Sequence, residues 1–319
     1  MSLLRTTPLL ITSLLASFAF VACEGGEGDG TPDEAATPTP ASPHVATVTP
    51  TAVVLQDYLV ATLGIEADFG RITADFREAL PESQEDATHT KQAIVELESA
   101  LSPFVDEAME TLSRVAPPPE AEAYQDALVS VFGDLDTFAG NVAAALEPGS
   151  AIVLDPVIGD FTDLAIRLSD AALQGQTLVV SALESAAEDP VSTYLVAATE
   201  QRAEFSRALA EPSDELDRLL AAGDTSGVLA VLEKLIASLE GLRDQWQQIS
   251  PPAEAEDLHQ RYGELIDEAI AVQRLIHTAL SDDDQSVLAT AADRSKQTSI
   301  LRDRLDADWD EMLIKVLSR

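Results

Sequence analysis

Apolar residues along this chain recur at alternating steps of three and four. Val228, Leu232, Leu235, Leu239, Leu242, Trp246 and Ile249 make one run, and Leu258, Tyr262, Leu265, Ala269, Val272, Ile276 and Ala279 make the next. At 3.6 residues per turn such a run lies on one face of a helix, as a stripe that has to be buried against other helices. Ile94, Leu101, Val105, Ala108, Leu112 and Val115 repeat the first pattern, and Tyr124, Leu128, Val131, Leu135, Phe138, Val142 and Ala145 repeat the second. Tyr58, Ile65, Phe69, Ile72 and Phe76 open the series. Weaker stripes run from Val157 to Ala171 and from Leu301 to Val316. No period-two alternation competes with them, so the chain reads as all-α, with coiled-coil-like spacing suited to antiparallel bundles.

The pattern also repeats on a larger scale. Tyr58-Leu59-Val60-Ala61 returns as Tyr194-Leu195-Val196-Ala197, and Phe69 and Arg71 return as Phe205 and Arg207. Further on, Pro117-Pro118-x-Glu120-Ala121-Glu122 returns as Pro251-Pro252-x-Glu254-Ala255-Glu256. A period of this length marks a duplicated domain rather than a solenoid unit. Four long helices are expected in each copy, over 53–187 and 188–319. The breaks agree: Pro81 and Pro212 close the first helices, and the Pro-Pro corners stop the second. Pro148-Gly149-Ser150 and Asp282-Asp283-Asp284 precede the fourth.

Composition limits the functions this scaffold can serve. The 319 residues carry 56 Asp+Glu against 19 Lys+Arg, a net charge of −37. That excludes a nucleic-acid surface, because phosphate contact needs a basic face. One Cys permits no internal disulfide, so the fold must rest on its apolar core.

The N-terminus is read apart from the fold. Arg5 precedes an apolar stretch, Leu9 to Ala22, too short for a comfortable membrane span. It ends in Phe20-Val21-Ala22-Cys23. Here the chain resembles bacterial lipoproteins, in which signal peptidase II cuts before a Cys that is then acylated. The resemblance covers only these residues, with Phe20 where Leu is usual. It implies removal of 1–22, lipidation at Cys23, and anchoring on the extracytoplasmic face of the cell envelope, in a membrane left open. Residues 23–52 are Gly/Pro/Thr-rich without hydrophobic period and read as a disordered tether.

Candidate chemistry is sparse. Glu256-x-x-His259 has the spacing of a di-iron ligand pair, but such a site needs a second pair and two further Glu, and Gln125 stands where the first copy would need His. Exposed helix residues are the expected reading. Asp282-Asp283-Asp284 lacks the Gly and Glu of an EF-hand loop, so one Asp is expected to cap the last helix. Asp134-x-Asp136 lies within a helical stripe. Tyr58 and Tyr194 read as core aromatics with solvated hydroxyls. No nucleophile elbow or His-Glu-x-x-His occurs. Neither catalytic residues nor a metal or other cofactor are expected.

Two functions follow. The first is a non-enzymatic, lipid-anchored binding or scaffold module for a protein partner in the envelope. The alternative is an extracytoplasmic receptor for a small molecule or cation, with its site between helices or between the two repeats. Stripes that are apolar apart from Thr62, Ala198 and Gln201 favour the first.

Overall fold

The computed structural model describes residues 51–80, 87–146, 154–185 and 189–319. The expected signal segment, Cys23, the expected tether up to residue 50, Pro81 and Pro148-Gly149-Ser150 lie outside them. The described chain is all-α, without strands. Helices α1 (Thr51–Ala79), α2 (Ala87–Arg114), α3 (Glu122–Leu146) and α4 (Leu154–Ser185) form the first half. The second half holds α5 (Pro190–Ala210), α6 (Ser213–Ala222), α7 (Thr225–Trp246), α8 (Glu256–Asp282) and α9 (Gln285–Leu317). None of these helices is long and apolar enough to cross a membrane.

Local chemistry sets the ends. After each Pro-Pro corner the chain makes a short 3₁₀ turn, Pro119–Ala121 and Ala253–Ala255, before the next long helix begins. Asp284 caps α9 by accepting from the Ser286 and Val287 amides at 2.9 and 3.3 Å. Asp283 before it takes the left-handed conformation, φ 55°, that ends α8. Gly223 ends α6 in the same way at φ 69°, and Asp224 then caps α7 through the Gly227 amide.

Helix α6 departs from the expected four helices per copy. Its buried residues, Leu216, Leu219 and Leu220, make a patch of little more than one turn between Pro212 and Gly223. That is too short to register as a stripe.

The stripes pack as expected. Leu101, Leu128, Leu135, Leu232, Leu239 and Leu265 are fully buried, each contributing roughly 1.5–3 kcal/mol from removal of its side chain from water. Helices α2 and α3 lie on the outside of the first half, and α7 and α8 on the outside of the second. The middle is made by α1, α4, α5 and α9. Helix α1 packs most extensively against α9, the last helix of the chain, and α4 packs against both α5 and α1. One apolar core runs through all of them, so the halves form a single body.

The α1–α9 seam is antiparallel and close. A Cβ on Gly70 would lie 3.1 Å from the Asp303 carbonyl oxygen, so Gly70 permits the approach. Charged pairs follow the seam: Arg71 with Glu311, Arg77 with Asp303 at 2.8 Å, and Arg304 with Glu78 at 2.5 Å.

Candidate functional site

Each outer helix has one face to bury, whereas α1, α4, α5 and α9 have two. One faces its own half and the other faces across the seam. The sequence fills these second faces with polar groups. Glu66 stands three residues before Phe69 on α1, and Arg202 three before Phe205 on α5. Helix α9 brings Asp303, Asp306 and Asp310 at steps of three and four. Together with Tyr124, Thr199 and Gln176 they line a cavity of about 120 Å³ between the two halves. Leu63, Phe69, Leu168 and Val179 supply its apolar wall.

Its charges are unevenly answered. Arg202, only 6% exposed, donates from Nη2 to Asp306 at 2.5 Å. Its guanidinium carbon lies 4.7 Å from the Trp309 ring centroid and 5.4 Å from that of Tyr262. Burial opposes the arginine charge, but Asp306, then Tyr262 and Asp310, more than restore it and hold its pKa above the ordinary value. Asp303 is paired with Arg77.

Glu66 and Asp310 have no such cation bonded to them. The Tyr124 hydroxyl donates to Glu66, and its ring lies over Gly175, where a Cβ would come within 2.8 Å of Tyr124 Cζ. Burial pushes the Glu66 carboxyl up to about 7, against the lowering effects of Tyr124 and Arg202. Asp310, 9% exposed, is held well above the usual carboxylate range, by burial first and then by the charge of Glu66. Three buried polar atoms on the lining residues lack hydrogen-bond partners: Thr199 Oγ1, Gln176 Oε1 and Arg202 Nε.

No protein-family model, curated protein or solved structure matches the chain.

The residues singled out from sequence lie elsewhere. His259 is not an exposed helix residue but packs inside the second half. Its ring stacks on Trp246 at 4.6 Å, its Nδ1 is 3.2 Å from the Tyr194 hydroxyl, and burial lowers its pKa. The Tyr58 hydroxyl likewise donates to Gln125 Oε1 at 2.9 Å. Both tyrosine hydroxyls are thus engaged by protein groups, in place of the solvated ends expected. Glu256 is exposed, and Asp134 pairs with Arg167 at 2.7 Å. Among the described residues no three His, Cys, Asp or Glu side chains converge closely enough to hold a metal ion.

Sequence reasoning passed over Glu66, Arg202 and Asp310, because stripe analysis scores only one face per helix. A signal was present. Arg202 falls 136 residues after Glu66, the same offset that separates Tyr58 from Tyr194, and the two positions carry opposite charges.

Proposed function

We propose that this chain is a lipid-anchored, extracytoplasmic small-molecule receptor without catalytic chemistry of its own, whose site is the cavity between the two halves. The observation that carries this reading is the cavity's unpaired lining. Buried polar groups in a finished core find partners, yet here two carboxyls lack a bonded cation and three further atoms lack any partner. A ligand held between α1, α4, α5 and α9 would supply what they lack. The volume suits a ligand smaller than those of the roughly 300–1,000 Å³ pockets that take drug-sized molecules. The outer faces give a scaffold role less support: among the described residues, Val95 and Val129 are the large apolar side chains left exposed.

The test is retention. The full chain is purified in detergent from its envelope extract beside an Ala172→Phe variant, whose ring fills the cavity from α4. Native mass spectrometry should find a small molecule on the first and not on the second, with circular dichroism unchanged. Equal retention by both proteins would remove the cavity as the site.

A further inference from the structure

We propose that the ligand of this cavity is a small organic ammonium ion, whose N–H donors bond to Glu66, Asp310 and one of the open oxygens of Thr199 and Gln176. This rests on the reading of the cavity as a ligand site and adds the ligand's chemistry.

Charge decides the sign. The titratable and charged groups facing the pair come from four helices: Tyr124 on α3, Arg202 on α5, Asp303, Asp306 and Asp310 on α9, and Glu66 itself on α1. Helix α4 contributes only neutral groups, among them Ser169 and Gln176. Arg71, on α1 near Asp310, is engaged by Asp68 and Glu311. Arg202 is ion-paired with Asp306 through Nη2, only its Nε being left unpartnered, and Asp303 is ion-paired with Arg77. What remains is Glu66 and Asp310, two carboxyls without a bonded cation on one cavity wall, the charge of the first raising the proton affinity of the second. An anionic ligand would add to that excess. A cationic one relieves it.

Geometry decides the class. Among the described residues no third carboxylate, His or Cys joins these two to make a metal-ligand group. The space, about 120 Å³ against the roughly 10–15 Å³ that one water needs, admits several heavy atoms. An ammonium group offers three N–H donors in a tetrahedral fan. It can therefore bond to carboxyl and neutral acceptors of one wall together, while its alkyl body lies against Leu63, Phe69 and Leu168. Thr199, 1% exposed with an unpartnered hydroxyl, and the unpartnered Gln176 Oε1 provide neutral acceptors beside the two carboxyls.

This chemistry has a signature. Burial raises the proton affinity of both carboxyls, and an ammonium ion pairs with their ionised forms, so its binding releases protons. The full chain in detergent is titrated in unbuffered salt at pH 6.5 with n-butylammonium chloride, sodium butyrate, n-butanol or calcium chloride. Released protons are counted by pH-stat, and binding is followed by fluorescence, since Trp309 lies beside Arg202.

Butylammonium should saturate with proton release. Glu66→Gln should weaken it at least 10-fold and reduce the release, and Ala172→Phe should abolish it. Both variants should retain the wild-type circular dichroism. Butyrate or butanol binding that is lost in Ala172→Phe, with butylammonium silent, would overturn the ammonium assignment and leave the receptor reading standing. Saturable calcium binding with proton release would replace the ammonium with a bare cation. Silence of every probe, together with equal small-molecule retention by wild type and Ala172→Phe, would remove the site itself.

Discussion

Glu66 and Arg202, 136 residues apart in the chain, face one cavity with opposite charges. Arg202 lowers the proton affinity of Glu66, but not enough to offset burial. Because the folded-state pKa of Glu66 is about 7 against an ordinary 4.5, the folded protein holds this proton more tightly than the unfolded chain does. The stability it contributes is complete below pH 4.5 and is lost as pH rises through about 7. Urea unfolding across pH 4.5–7.5 should show wild type losing on the order of 2 kcal/mol relative to Glu66→Gln. Asp310 acts in the same direction. Parallel profiles for the two proteins would show that Glu66 titrates normally.

Gly175 positions the phenol that bonds Glu66. Gly175→Val would drive a side chain into Tyr124 and displace its hydroxyl. Overpacking of this kind costs about 1–3 kcal/mol. Since the phenol's hydrogen bond favours the ionised carboxyl, its loss should also move the Glu66 transition to higher pH. A stability loss without that movement would mean that Tyr124 stays in place.

Leu239 is fully buried in the centre of α7. Leu239→Asp places an unpaired carboxylate among apolar side chains and should cost several kcal/mol in denaturant unfolding. A loss under about 0.5 kcal/mol is the behaviour of a surface position.

How far the sequence revealed this fold follows from the same residue. The Leu239 run was legible because an outer helix buries one face, and one face produces one stripe. Asp284 was legible as a cap because capping is local. Helix α6 was not, since Leu216, Leu219 and Leu220 span too few turns to show a period. The cavity was not either. Glu66, Arg202 and Asp310 sit on second faces whose burial depends on α1 meeting α9 across more than 200 residues of chain. No local pattern encodes that meeting.

Charge offers a fourth measurement. With 56 acidic and 19 basic residues, most carboxylates have no cationic partner even though arginines bridge several helix pairs. Raising NaCl from 0.01 to 0.1 M shortens the screening length from about 30 to about 10 Å, so Tm should rise. The scale is roughly 2–4 °C for each kcal/mol of repulsion relieved. A flat response would mean that the ion pairs lost to screening cancel the gain.

Cys23→Ser tests the anchor. If the proposed lipid on Cys23 supplies the attachment, the variant should leave the membrane fraction and partition into the aqueous phase in detergent separation. Unchanged partitioning would place the attachment elsewhere.

The antiparallel contact of α1 with α9 also constrains the order in which the molecule can be completed. A chain that emerges N-terminus first presents Gly70 and its neighbours long before their partner helix exists. One flank of α1 stays uncovered until the final segment arrives. Closure of so long a loop is a slow, non-local step. Truncation within the last helix should therefore uncover the first.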